Sequence, residues 1–243
     1  MLILAGLGLN DEKGLTIEEI EEAKSADKIY LEKYTSIWFG NLDNLEKILG
    51  KKINLIGRRE LEEDSYKIVE EAREKKIVVF VPGDPLFATT HLSLILECLR
   101  KKINYKIIHN SSIISAIGIT GIHFYKICKI VTIPFKERAN NFDYIKNSIK
   151  NRGDNHVLCL LDIDLEKNKL LSVNEALKFL IDINALSEEE EIVVASRLGT
   201  KNSRIFYGKV KKFLDFNIDL PAVIIVLGKL HFSEKEYLEN FKV

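Results

Sequence analysis

The chain has 243 residues, an apolar fraction of 46%, and equal numbers of basic and acidic residues, 36 of each. This composition can form one large or two modest folded domains, and it excludes a disordered chain. The zero formal net charge excludes the overall basic excess that draws a protein to nucleic acid or anionic membranes, so neither partner is expected.

The N-terminal stretch MLILAGLGLNDEKG has an apolar run of only about eight residues, too short for a signal peptide or a membrane span. Cys98, Cys128 and Cys159 are far apart and lack both a CxxC pair and a nearby histidine in ligand spacing. Neither a zinc site nor a disulfide framework is therefore expected. We expect a cytoplasmic protein without a metal site.

The first half of the chain alternates apolar runs of strand length with helical patterns. Thr16 and Glu19 form a capping box that predicts a helix beginning near residue 17. The apolar runs lie at residues 2–9, 28–32, 52–56, 77–81 and 105–109. Because continuous apolar strands separated by helices are typical of a parallel sheet covered on both faces, we expect an N-terminal α/β domain over residues 1–110.

The second half has a different pattern. Ser172 with Glu175 and Ser233 with Glu236 form capping boxes that predict helices beginning near residues 173 and 234. The short stretch GTKN at 199–202 separates two apolar runs and indicates a hairpin. The apolar runs lie at residues 157–163, 191–199, 203–210 and 222–228. We therefore expect a second α/β domain over residues 111–243, with a mixed sheet.

Two glycine- or proline-rich turns follow predicted strands. Gly6 and Gly8 follow the first strand, but Asp11 stands where a dinucleotide-binding fingerprint has its third glycine, so that site is excluded. The glycines either permit a tight turn or leave room for a ligand. In PGDP, Pro82 and Pro85 restrict the backbone around Asp84, whose carboxylate is either positioned for a ligand or caps a helix starting near Phe87.

Serine hydroxyls and histidine imidazoles are the remaining candidates for binding or catalytic groups. Ser111 and Ser112 precede an apolar run that predicts a helix, so their hydroxyls either cap it or contact a ligand. None of the histidines has a neighbouring Ser or Cys nucleophile or an HExxH pattern, and each is expected to be structural. They are His91, His109, His123, His156 and His231. No catalytic residue is assigned.

Taken together, these stretches resemble the diphthine synthase family of tetrapyrrole-methylase-like methyltransferases. The resemblance runs from residue 2 to about residue 240. Two stretches, GITGIHFYK and GKLHFSEKEYL, are specific to diphthine synthases. The stretches are GLGL, PGDPLFATTH, SIISAIGITGIHFYK, LCLLDID and GKLHFSEKEYL, together with EKYTS at 32–36 and SVNEAL.

This resemblance implies a cytoplasmic two-domain α/β protein, usually a homodimer, that binds S-adenosylmethionine in the cleft between its domains. The implied reaction is repeated methylation of the amino group of a 3-amino-3-carboxypropyl chain on a histidine of translation elongation factor 2, which yields diphthine. The matching positions imply a cofactor site made of Leu9, Asp84, Phe87, Ser112, Ile113, Leu161, Leu198 and Ala222.

Aromatic faces attract the permanent cation that such methylation creates. Tyr30, Tyr34, Phe87 and Phe206 are the candidates for this role. Two other functions stay open: a methyltransferase that acts on a uroporphyrinogen or a cobalt-precorrin, and a non-catalytic module that binds S-adenosylmethionine. The first should have several arginines around its carboxylate-rich acceptor, whereas here the arginines are scattered along the chain.

Overall fold

The computed structural model describes residues 1–138 and 142–243. The chain divides into two compact units, Met1–Ser115 and Ala116–Val243, whereas the boundary predicted from the sequence lies near residue 110. In the described part of the chain, no helix has both the length and the apolar character needed to cross a membrane.

The first unit is an α/β unit. Its strands are β1 (Leu2–Gly6), β2 (Lys28–Glu32), β3 (Ile53–Ile56), β4 (Ile77–Val81) and β5 (Tyr105–Ile108). Its helices are α1 (Ile17–Ser25), α2 (Leu42–Leu49), α3 (Arg58–Glu62), α4 (Ser65–Glu71) and α5 (Leu92–Lys101). A short helix, α6 (Ile113–Ala116), lies at the boundary between the two units.

The strands of this unit form one parallel sheet in the order β3-β2-β4-β1-β5. Successive residues of β1 point to opposite faces, since Leu2 and Leu4 pack with α3, α4 and α5 while Ile3 and Ala5 pack with α1 and α2. Both faces are therefore buried, which explains why the strands are continuously apolar rather than alternating. The predicted parallel α/β sheet is confirmed.

The second unit contains the remaining elements. Its strands are β6 (Ile127–Ile133), β7 (His156–Leu161), β8 (Ile163–Asp164), β9 (Lys169–Leu170), β10 (Glu191–Ser196), β11 (Arg204–Lys209) and β12 (Ala222–Val226). Its helices are α7 (Asp143–Lys150), α8 (Val173–Asp182), α9 (Val210–Phe213) and α10 (Phe232–Leu238).

The larger sheet of this unit has the order β11-β10-β12-β7-β6. Strands β6 and β7 are parallel, and the other neighbours are antiparallel. One face packs against α8, whose Ala176, Leu177 and Leu180 lie in the same core as Ile224. The mixed sheet and the hairpin at residues 199–202, which joins β10 to β11, are confirmed.

One helix begins later than the sequence predicts. A helix expected near Phe87 begins at Leu92 instead. Ala88 has a φ of 56°, and this left-handed conformation cannot continue a right-handed helix. The Asp84 carboxylate accepts a hydrogen bond from the N–H of Leu86, two residues further on, at 2.9 Å. Asp84 therefore closes a local turn and caps no helix.

Two of the three predicted capping boxes are confirmed, at Thr16 and at Ser172. The third is wrong, because α10 begins at Phe232 and the box joins His231 to Glu234. The Glu234 side chain is fully buried and accepts from the backbone N–H groups of His231 at 2.7 Å and His123 at 2.8 Å. It also pairs with Lys126 at 3.0 Å. These distant donors select Glu234 over the exposed Glu236.

We expect E234Q to destabilise the protein by roughly 3 kcal/mol, because it leaves the Lys126 ammonium beside a neutral amide. Burial alone would raise the pKa of the Glu234 carboxyl, but the N–H donors of His231 and His123 and the Lys126 ammonium lower it to about 2 from 4.5. Its stabilising contribution is therefore complete above pH 4.5 and disappears as the pH falls toward 2.

Thermal unfolding at pH 7 and at pH 3 measures this effect, and E236Q is the matched control. The gap in stability between E234Q and wild type should be smaller at pH 3 than at pH 7, with E236Q close to wild type at both. A larger loss in E236Q than in E234Q would restore the capping box predicted from the sequence.

Candidate functional site

Three turns meet at the carboxyl edge of the parallel sheet. They follow β4, β1 and β5, which are neighbours in the sheet, and they hold Asp84, the Gly6–Gly8 stretch and the segment His109–Ser112. In open α/β sheets ligands bind outside the carboxyl ends of the strands. This edge is therefore the candidate site of the first unit.

The glycines allow these turns to touch. A Cβ on Gly6 would lie 2.5 Å from the Gly83 carbonyl oxygen and 2.7 Å from the Asn110 Cβ, distances that no side chain tolerates. Gly8, at φ 67°, exchanges both backbone hydrogen bonds with Gly83, at 3.1 and 2.8 Å. Of the two roles left open for Gly6 and Gly8, tight packing of the turn is thus confirmed.

Asp84 is a deeply buried polar group of this edge, with only 1% of its side chain exposed. Its Oδ1 accepts from the Leu86 N–H at 2.9 Å. Its Oδ2 lies 2.8 Å from His109 Nδ1 and accepts from the Asn110 N–H at 3.3 Å. The carboxylate is therefore fixed by donors from two turns, its own and the one after β5.

Asn110 ties the same turn to the rest of the unit. Its side-chain amide donates to the Gly14 carbonyl at 3.0 Å and to the Glu19 carboxylate at 3.1 Å. Burial raises the pKa of the Glu19 carboxyl, although hydrogen bonds from Thr16 and Asn110 act in the opposite direction. The His109–Asn110 segment is thus held at both ends by carboxylates, Asp84 on one side and Glu19 on the other.

The structure brings the predicted N-terminal site residues to this one edge. Leu9 follows the Gly8 turn, Asp84 lies in the PGDP turn, and Ser112 and Ile113 follow β5. Ser112 is buried, and its N–H donates to the Ser115 hydroxyl at 3.1 Å. Phe87 lies beyond the PGDP turn and is 52% exposed, so its ring is accessible.

The predicted C-terminal site residues share an edge of the second sheet. Leu161 ends β7, Leu198 follows β10, and Ala222 begins β12, where it pairs with Ser196. Because β12 runs antiparallel to both other strands, these three positions fall at the same end of the sheet. All three residues are buried.

The aromatic candidates divide into packed and accessible rings. Tyr30 lies in the core, where its hydroxyl donates to Glu71 at 2.8 Å and the Lys28 ammonium sits 4.8 Å from its ring centre. Tyr34 is also buried, and its hydroxyl lies 3.4 Å from His91 Nε2. Phe206 packs edge-on against Phe216. Among these rings Phe87 is the most exposed.

A buried carboxylate beside Tyr34 escaped the sequence analysis. Burial raises the pKa of Glu32, at the end of β2, to about 7. Its oxygens accept from the backbone N–H groups of Tyr34 at 3.4 Å and Thr35 at 3.2 Å, and from the Thr35 hydroxyl. The sequence pattern offered a signal, since a Glu that ends a buried strand and precedes Tyr-Thr must find partners nearby.

The sequence also gave no warning of the contact between His109 and Asp84, since the two residues are 25 positions apart. Within residues 1–138 and 142–243 no group of three or more metal-ligating side chains could hold a metal ion. The arrangement at the first edge offers buried and exposed polar groups, backbone amides and open space beside Gly83. Such a site suits the binding of a small polar molecule.

We expect G6A to destabilise the first unit by about 1–3 kcal/mol, because the added methyl group overlaps two backbone segments that hold each other in place. Thermal unfolding measures the loss. G118A is the matched control, since no atom lies within 4 Å of the position its Cβ would take. Equal stability of the two variants would show that the turns separate without cost.

Comparison with known proteins agrees with this geometry. Residues 1–214 match the model of the family described as Tetrapyrrole (Corrin/Porphyrin) Methylases. Curated relatives named diphthine synthase include those of Methanocaldococcus jannaschii, 40% identical, and Methanococcus maripaludis, 39% identical, each with 98% of both chains covered.

Solved structures agree as well. A crystal structure of diphthine synthase superimposes with a TM-score of 0.89 at 32% identity, covering 100% of this chain and 96% of that one. That of a putative diphthine synthase from Entamoeba histolytica gives 0.88 at 30% identity, covering 100% and 98%. The chain therefore belongs to the tetrapyrrole methylase family and, within it, to the diphthine synthases.

Proposed function

We propose that this methyltransferase uses S-adenosylmethionine to methylate the amino group of the 3-amino-3-carboxypropyl-histidine of translation elongation factor 2, forming diphthine in diphthamide biosynthesis. The observation that carries the proposal is the full-length similarity, at 40% identity, to a curated diphthine synthase. The proposal includes a homodimer, which stays a prediction.

The carboxyl edge of the first unit fits a cofactor of this kind. A Cβ on Gly83 would have the Ser111 carbonyl oxygen, 4.0 Å away, as its nearest neighbour. A side chain there would occupy space that a ligand can use, and φ of 78° favours glycine. We assign Leu9, Asp84, Phe87, Ser112 and Ile113 to the cofactor in this unit, and Leu161, Leu198 and Ala222 stay predictions in the second.

The carboxylate of Asp84 has one acceptor position that the described contacts of the unit leave unused. A carboxylate offers about four acceptor positions, and Asp84 uses three of them within the unit. One acceptor position, on Oδ1, therefore remains for a hydroxyl or ammonium group of the bound molecule. When bound, S-adenosylmethionine supplies a methyl group on a positively charged sulfur. An amine can attack this methyl carbon directly, and the sulfur is the leaving group.

Methyl transfer of this type requires an aligned neutral amine and the exclusion of water. The rigid turns around Asp84 and Gly83 reduce the entropy lost when the cofactor binds. The tetrapyrrole alternative needs cationic side chains for a carboxylate-rich acceptor. Here arginines of both units are paired with acidic groups: Arg58 with Glu62, Arg59 with Asp64, Arg138 with Asp162, Arg152 with Glu190, and Arg197 with Asp219.

Mass spectrometry of elongation factor 2 that carries the 3-amino-3-carboxypropyl group, incubated with the protein and S-adenosylmethionine, tests the reaction. Mass increases in steps of one methyl group on the modified histidine are expected. Methylation of a uroporphyrinogen in its place would establish the tetrapyrrole alternative. Cofactor binding without transfer to either acceptor would establish a non-catalytic module.

For the cofactor site, we expect D84N to weaken the binding of S-adenosylmethionine by tenfold or more, since a charged acceptor becomes a neutral amide (about 1.5–3 kcal/mol). Titration calorimetry measures the dissociation constant, and circular dichroism verifies the fold. D43N, a change at an exposed carboxylate in the first turn of α2, is the matched control. Unchanged binding in D84N would remove Asp84 from the cofactor site.

A further inference from the structure

His109 combines an exposed ring with a close contact to a buried carboxylate, which separates it from the two buried histidines. His91 is buried, with its nitrogens 3.1 Å from the Pro85 carbonyl and 3.4 Å from the Tyr34 hydroxyl. His156 is buried between Glu234 and the Gly228 N–H. The His109 side chain is 64% exposed, and within the described chain its hydrogen-bond partner is Asp84 alone, through Nδ1.

The contact with Asp84 fixes the tautomer of this imidazole. An ionised carboxylate only accepts hydrogen bonds, so the 2.8 Å contact requires that Nδ1 carries the hydrogen. In the neutral ring the lone pair then lies on Nε2, in a side chain that is 64% exposed. A buried aspartate that holds an imidazole in this way is the arrangement by which enzymes orient a general base.

We propose that His109, oriented by Asp84, is the proton acceptor for the amino group that is methylated. The inference rests on the proposed function, and it gives His109 a catalytic role that the sequence analysis did not assign. Asp84 is then a positioning residue for His109 through Oδ2, while Oδ1 keeps its free acceptor position for the cofactor. The two roles use different oxygens.

The proton balance of the step is complete without a further reagent. An amine in water is largely an ammonium ion, whose nitrogen has no lone pair for attack. One N–H bond breaks, its electron pair stays on nitrogen, and the proton forms a bond to Nε2. The neutral amine forms a bond to the methyl carbon while the carbon–sulfur bond breaks and leaves its electron pair on sulfur. The imidazolium then returns the proton to water.

The charges around His109 favour this exchange. The Asp84 carboxylate contacts the ring directly at 2.8 Å, so the positive charge that forms on the imidazole lies beside a negative one. The carboxylate of Glu19 in α1 accepts a hydrogen bond from the side chain of Asn110, the residue after His109. Lys106 of β5, three residues earlier in the chain, pairs with Glu18 and Glu22 at 2.7 and 2.6 Å. Imidazoles change charge between about pH 5 and 8, and the protonated form cannot accept a proton.

The variant H109N separates a base from a structural group. Its side-chain amide can still donate to Asp84, but it cannot accept a proton from an amine. We expect kcat to fall about 100-fold or more at pH 7, the loss of rate toward acidic pH to flatten, and the dissociation constant of S-adenosylmethionine to stay within about threefold of wild type. H109A should regain part of its rate when free imidazole is added. The matched control is H231N, since His231 is another exposed imidazole and Asn is a favoured N-cap.

Nitrogen-15 NMR of the histidine rings provides a readout without turnover. The neutral ring of His109 should carry its hydrogen on Nδ1 in wild type, and D84N should lose that preference. A hydrogen on Nε2 in wild type would overturn the inference without any assay. Normal kcat and an unchanged pH profile in H109N would overturn it while leaving the proposed function intact. Absence of methyl transfer by the wild type would overturn both.

Discussion

The close approach of three turns at the carboxyl edge of the parallel sheet is the constraint on which the site depends. Gly8 and Gly83 exchange backbone hydrogen bonds at 3.1 and 2.8 Å, and this contact requires that Gly6 has no side chain. Because β1 lies between β4 and β5, the contact also brings the PGDP turn against the segment after β5. Asp84 and His109 meet as a result, although neither turn alone contains a site.

Both units use the same physical solution for a buried carboxylate. Asp84 accepts three hydrogen bonds from two turns, and Glu234 accepts from two backbone N–H groups and Lys126. A buried carboxylate without such donors would become neutral. The difference lies in the imidazole: the partner of Glu234, His156, is enclosed, whereas His109 is open to solvent. Because it is enclosed, the Glu234–His156 pair is a structural element. Because His109 is exposed, the Asp84–His109 pair is free to exchange a proton.

Local patterns predicted the secondary structure well where a local cause decides it. The strand-length runs and the boxes at Thr16 and Ser172 need only neighbours in the chain, and the structure contains them. Prediction failed where a distant group decides. Glu234 was chosen over Glu236 by donors from His123 and Lys126, over a hundred residues away. The late start of the helix after PGDP has a local cause that its residue types did not reveal, since Asp84 and Ala88 form a turn.

The candidate site illustrates the same limit. The glycines and the PGDP turn could be found from the sequence, because proline and glycine restrict or free the backbone at their own positions. His109 could not be separated from the other histidines, since its chemistry depends on a carboxylate that approaches from another strand end. Sequence spacing contains no record of that contact. The order of strands in the sheet creates it.

A base at His109 also bears on how many methyl groups the amine can receive. An ammonium ion has three N–H bonds, and each transfer replaces one of them, so each transfer needs one proton acceptor. After the third, the quaternary nitrogen has neither a lone pair nor a proton, and the imidazole has nothing further to accept. An ionised carboxylate oxygen, by contrast, carries a lone pair and no proton, so its methylation needs no proton acceptor. The Asp84–His109 pair therefore serves transfers to nitrogen, and any methylation of oxygen would depend on other groups.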